Sequence, residues 1–138
     1  MAKFVLLEPV VVFAGSTVTT STAAVTLNVE ADDVETTAFG TSGNFRTRVG
    51  GLKQASVDFD FHSDVAAGAI DSLLWSNLGG TVAVKVRPGG TAAISASNPE
   101  FQFNVLVTQT TPIAGSVGDL ATQSVSFPVD GVVTRATA

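Results

Sequence analysis

Two periodicities meet within residues 50–78. From Leu52 to His62 apolar and polar residues alternate: Ala55, Val57, Phe59 and Phe61 fall on one side, Ser56, Asp58, Asp60 and His62 on the other. This period of two predicts a strand with one buried and one wet face. From Asp64 the spacing changes to three and four, through Val65, Ala69, Ile70, Leu73, Leu74 and Leu78. That is one face of a helix, which predicts a helix over residues 64–78. Ser63 or Asp64 can cap its start, and Gly79-Gly80 can end it. Trp75 falls within this helix and reads as a packing residue rather than a ligand-stacking one.

The rest of the chain reads as strand and loop. A first strand is expected over 3–14, bulged or at an edge where Pro9 removes a ladder donor. Residues 23–30 give a second, with Val25, Leu27 and Val29 inward. Further strands follow at 81–87, 99–108 and 122–129. Their inward residues are Val82, Val84 and Val86; then Phe101, Phe103, Val105 and Val107; then Val125, Phe127 and Val129. Residues 130–138 read as a short polar tail. Six or seven strands joined mostly by short turns favour antiparallel neighbours. The expectation is a single mainly β domain over residues 1–138, an antiparallel β-sandwich or half-barrel with one flanking α-helix.

Residues 31–49 break the pattern. They show no steady period and read as one long connection carrying Asp32, Asp33, Glu35, Phe39, Phe45, Arg46 and Arg48. Unstructured loops beyond about 12–15 residues are uncommon in compact domains and are often functional. A loop alone covers two phenylalanines poorly, so this stretch is expected to dock on a neighbouring subunit. The inter-subunit candidates are Glu35, Phe39, Phe45, Arg46 and Arg48, the arginines pairing with a neighbour's acids.

Composition supports a covered surface. Only 14% of the 138 residues are charged, against roughly 25% in typical soluble chains. Thr, Ser, Gly and Ala take their place, as suits a subunit largely enclosed by others. The net charge is −5 and the seven basic residues are scattered, so no basic patch for gripping nucleic acid is visible. There is no cysteine, hence no disulfide. The apolar run Phe4–Leu7 stops at Glu8-Pro9, short of the roughly 7–15 residues of a secretory signal. No stretch approaches the ~20 apolar residues of a membrane span.

Chemistry is sparse. Asp58, Asp60 and His62 share a strand face, but successive members stand about 6.6–7 Å apart, too far to share a metal easily. Asp32, Asp33 and Glu35 lack the glycine and spacing of a calcium loop. One histidine, no cysteine, no tyrosine and no Gly-x-Ser-x-Gly give no catalytic set. Neither Gly-Gly pair opens a phosphate-loop helix. No catalytic residue, cofactor or metal is expected, and the protein is not read as an enzyme.

An ordered set of segments carries a resemblance. Val34-Glu35-Thr36-Thr37-Ala38-Phe39-Gly40 is followed by Arg46-Thr47-Arg48-Val49-Gly50-Gly51-Leu52-Lys53, then Asp58-Phe59 and the helix. Val84-Lys85-Val86-Arg87-Pro88, Ser97-Asn98-Pro99 and Gly115-Ser116-Val117-Gly118-Asp119-Leu120-Ala121 complete it. In this set the chain resembles the tail tube proteins of long-tailed bacteriophages, over most of residues 23–129. Thr41-Ser42-Gly43-Asn44-Phe45 stands where the family would have a shorter, more acidic turn.

The resemblance implies a structural virion protein of the tail, assembled in the host cytoplasm. Six copies would close a ring, and rings would stack into a hollow tube. DNA would pass down the lumen without specific binding. The loop after the second strand and the chain ends would make the contacts within and between rings, with tape measure, terminator and distal tail proteins as further partners. A capsid decoration or minor head protein, also small and β-rich, is the alternative.

Overall fold

The computed structural model describes residues 9–40, 42–90 and 93–138, with Ser42 described by its backbone alone. Eight strands and one α-helix are found among them: β1 Val10–Phe13, β2 Ser16–Thr17, β3 Thr22–Glu35, β4 Arg48–His62, α1 Ile70–Asn77, β5 Thr81–Arg87, β6 Glu100–Leu106, β7 Thr122–Pro128 and β8 Thr134–Ala136. Residues 3–8 of the expected first strand, Thr41 of the long connection, and Thr91 and Ala92 lie outside the described residues.

The strands form two antiparallel sheets, one of five strands in the order β2-β1-β5-β6-β8 and one of three in the order β3-β4-β7. The mainly β sandwich with a single helix is thus as expected. The sheets meet along one side, where Val129 bridges to Val105 and the Asp130 amide donates to the Asn104 carbonyl at 2.8 Å.

Much of the core comes from the period-two residues read from the sequence. Val57, Phe59, Phe61, Val84, Val105, Val107 and Phe127 are all buried. Phe13 of β1 reaches across to the three-stranded sheet. Its ring lies edge-on to Phe59 at 6.3 Å and to Phe61 at 6.5 Å, while Phe59 and Phe61 stack at 5.0 Å. Such ring pairs contribute about 0.5–1.5 kcal/mol each beyond the area they bury, so this cluster is the main clamp between the layers.

Five expectations are corrected. The helix runs from Ile70 to Asn77, not from Asp64 to Leu78. Asp64 Oδ1 accepts from the Ala66 amide at 3.0 Å and Gly68 has φ +78°, so the side chain and the glycine hold a turn where the helix would begin. Ile70 and Leu74 are buried, whereas Trp75 is 67% exposed and packs on nothing central. The far end behaves as read: Gly79 has φ +84°, a left-handed conformation that only glycine adopts without strain. There the Gly79 amide donates to the Val107 carbonyl at 2.8 Å.

The connection 31–49 is shorter than read. β3 continues through Glu35 and β4 begins at Arg48, leaving residues 36–47 as the link. Cross-strand hydrogen bonds override the missing hydrophobic alternation, since the ladder needs only backbone groups. Val29, expected inward, is 52% exposed: it lines a hollow with Val86 and Phe101 of the opposite sheet that the described residues leave open. The tail is not unstructured either: β8 adds to β6, with Phe101 opposite Arg135.

Candidate assembly surface

β3 and β4 are the longest strands, of 14 and 15 residues, about 45 Å each at ~3.3 Å per residue. β7 supports β4 only from Ser56 to His62. Beyond that, Glu30–Glu35 and Arg48–Gln54 form a two-stranded arm exposed on both faces. A lone two-stranded ribbon is marginally stable in water. The outer edge of β3 has no strand partner along its length among the described residues.

The register gives each face of the arm a distinct character. Ala31 pairs with Lys53 and Asp33 with Gly50, so Leu52-Gly51 oppose the single Asp32 in a bulge. Gly51 leaves room there: a Cβ on it would stand 3.2 Å from both Asp32 Cβ and Val34 Cγ2, so those side chains would have to shift by a few tenths of an ångström. The face continuous with the core turns charged as it leaves the body, through Lys53, Asp33, Glu35 and Arg48. The opposite face carries Val34, Val49 and Leu52, all exposed.

Side-chain bonds hold the arm and its link. Arg48 Nη1 donates to Asp33 Oδ2 at 2.7 Å, and Gln54 Nε2 to Glu30 Oε1 at 2.9 Å. Arg46 Nε lies 3.7 Å from Glu35 Oε1. The Thr47 amide donates to Thr37 Oγ1 at 3.0 Å, and the Thr36 amide to the Thr47 carbonyl at 2.8 Å. The five candidate residues are therefore gathered at one end of the molecule. Glu35, Arg46 and Arg48 are engaged with partners in their own hairpin, and Phe39 and Phe45 stand at the tip with their rings in solvent. Val34, Val49 and Leu52 were missed by sequence reading. Gly50-Gly51 interrupts the alternation that would have flagged them.

The outward face of the three-stranded sheet is acidic. The register places Glu30, Asp32, Asp58 and Asp60 there with Thr26, Asn28, Ser56, Ser124 and Ser126, and with no Lys or Arg. Asp60 Oδ1 accepts from Ser124 Oγ at 2.6 Å. The five-stranded sheet differs, carrying Lys85 and the ion pair of Arg87 Nη2 with Glu100 Oε2 at 2.7 Å. The arginine's hydrogen bond holds the Glu100 carboxyl below its ordinary value.

At the other end of β4, the Ser63 amide donates to the Ala121 carbonyl at 2.9 Å. Next to it Ser63, Val65 and residues 112–116, 119 and 121 line a shallow hollow of about 440 Å³. Ile113, Val117, Leu120 and Val65 are exposed around it. Underneath, buried Gln123 hydrogen-bonds Asp71 Oδ1 of α1 through Nε2, and takes the Thr111 amide on Oε1 at 3.2 Å. Burial pushes the Asp71 carboxyl up, and its Oδ2 has no hydrogen-bond partner among the described residues. Among the described residues no group of three or more His, Cys, Asp or Glu could hold a metal. No helix among them is long and apolar enough to cross a membrane.

No protein-family model and no curated protein matches the chain. Solved structures do share its fold. A chain in the virion of a native gene transfer agent (GTA) particle matches with TM-score 0.75 at 17% identity, over 94% of this chain and 96% of that one. A chain in the tail of an empty GTA particle, refined helically with C6 symmetry, matches with TM-score 0.63 at 18% identity, over 90% and 89%.

Proposed function

We propose that the protein is a structural subunit of a phage-like virion tail, six copies closing a ring and rings stacking into the hollow tube. The observation that carries this reading is the fold shared, over nine-tenths of both chains, with a chain of a C6-symmetric tail. The arm supports it independently. A 14-residue edge without a strand partner among the described residues, and a ribbon exposed on both faces, are liabilities in a monomer, and closure of sheets across subunits removes them.

In this assembly the three-stranded sheet faces the lumen. Its outward face bears four carboxylates and no Lys or Arg, so it repels phosphates and lets DNA slide rather than stick. The role is passive: a conduit, not an enzyme, joined at its ends by tape measure, terminator and distal tail proteins. Glu35, Phe39, Phe45, Arg46 and Arg48 act as contact residues between copies, and assembly takes place in the host cytoplasm.

Negative-stain microscopy of the purified full-length chain tests this. Open-ended tubes with six-fold end views are expected. Discrete trimers or monomers would favour a head decoration protein instead.

A further inference from the structure

The inner face of the three-stranded sheet is covered unevenly. Val57 and Phe59 of β4 are buried, but their ladder partners on β3 are not. Leu27, opposite Val57, and Val25, opposite Phe59, are half-buried, and Val29 is 52% exposed. These three form one wall of a hollow of about 540 Å³, with Val86, Pro88 and Phe101 on the facing wall. Among the described residues no charged side chain lines it. Apolar walls left to water cost free energy in proportion to their area, so the hollow calls for an apolar occupant.

The chain enters the described structure at the rim of this hollow. Val10 stands opposite Arg87 in the β1–β5 ladder, which brings Pro9, the first described residue, level with Pro88. Before it comes Phe4-Val5-Leu6-Leu7, an uncharged run between Lys3 and Glu8. Pro9 has no amide to donate to the ladder, and β5 ends at Arg87, so β5 offers the run no strand to pair with. Its reach fits. Five extended residues from Glu8 back to Phe4 cover about 17 Å, against about 13 Å from Val25 to Val29.

We infer that Phe4–Leu7 close this hollow in the same chain. Val5 and Leu7 keep the parity of Val11 and Phe13, both buried, so they are the pair that lies against Val25, Leu27 and Val29. The occupant is the chain's own segment because it starts at the rim, and a short tether gives it a high effective concentration there. A second copy would have to bring the same run to a place this one already reaches. The cover uses side chains only. It leaves the backbone groups on the outer edge of β3 to a neighbouring strand, so the inference stands apart from the tube reading and is compatible with it.

The chain has no cysteine, so paired thiols can be placed without background. Full-length protein carrying Leu7→Cys and Leu27→Cys is prepared in light and heavy-isotope forms, mixed in equal amounts and treated with a short bismaleimide. Peptides joining residues 7 and 27 are then read by mass spectrometry. Nearly all are expected to be light–light or heavy–heavy. A statistical share of light–heavy pairs would give the hollow to the segment of a neighbouring copy and overturn the inference. Absence of any peptide joining the two positions would overturn the placement itself. As a second arm, Val5→Asp with Leu7→Asp is expected to raise binding of a hydrophobic dye at least about threefold and to lower the thermal midpoint by at least about 5 °C. Dye binding and midpoint equal to those of the wild-type chain would overturn the burial of these two side chains.

Discussion

Arg48 reaches past its ladder partner. The register sets Arg48 opposite Glu35, yet its Nη1 bonds the Asp33 carboxylate at 2.7 Å, two residues along the same face. The diagonal bridge fastens the two strands toward the tip end of the arm and leaves the Glu35 carboxylate to the more distant Arg46. Both side chains of the bridge are about half exposed, so solvent screens it and it contributes little to the stability of the isolated chain.

Arg48→Ala is therefore expected to shift the urea midpoint of the isolated chain by less than about 1 kcal/mol in equivalent stability. Its effect should fall on assembly, since a ribbon without its fastening must be ordered on docking. Turbidity or sedimentation of assembling protein is expected to show slower growth at unchanged monomer stability.

The Arg87–Glu100 pair behaves differently, because the Glu100 side chain is almost wholly buried. Arg87→Ala leaves that carboxylate without its main partner and is expected to cost about 3 kcal/mol, measured by denaturant unfolding. Glu100 has its folded pKa lowered from 4.5 by the arginine. Its stabilisation is thus fully present above the unfolded value and is lost as pH falls below it toward the folded one. The acid limb of the stability profile should be shallower in Glu100→Gln.

Asp71 has the opposite sign. Burial raises its folded pKa above the ordinary 3.8, so the folded state holds the proton more tightly than the unfolded chain does. The ionised group works against stability at pH 7, and this is relieved as pH falls through the folded pKa. Asp71→Asn keeps an acceptor for Gln123 without the charge. It is expected to be more stable than wild type at pH 7, the two converging in acid. Thermal unfolding at stepped pH checks this.

Removing residues 36–46 takes away the tip but no residue of the hydrophobic core. The variant is expected to stay folded, with near-native far-UV circular dichroism, and to remain monomeric. Tubes formed by it would contradict the role given to the tip.

How far the fold was legible follows from where burial sets the pattern. Val57, Phe59, Phe61, Val84, Val105 and Phe127 alternate because each has a wet neighbour, and all are core. Residues 31–35, 48 and 49 of the arm read as loop because neither face of the arm is buried in the single chain, so hydrophobic alternation has nothing to record there. Backbone pairing leaves little trace in composition. The short helix was overextended because Val65 and Ala69 keep the helical spacing, while Asp64 and Gly68 stop the helix from starting. Phe39 and Phe45 stood out because a loop cannot cover large rings. Val34, Val49 and Leu52 did not, since their exposure depends on how far β3 and β4 outrun β7.

The most direct measurement is a helical cryo-electron microscopy reconstruction of the self-assembled full-length chain. Six-fold rings are expected at an axial repeat of at most about 50 Å, the span of β4 with its tip. In them the outer edge of β3 should be hydrogen-bonded to a neighbouring copy, and Asp58 and Asp60 should line the channel. A particle in which that edge faces solvent, or a chain that stays monomeric at high concentration with the arm folded onto its own body, would contradict it.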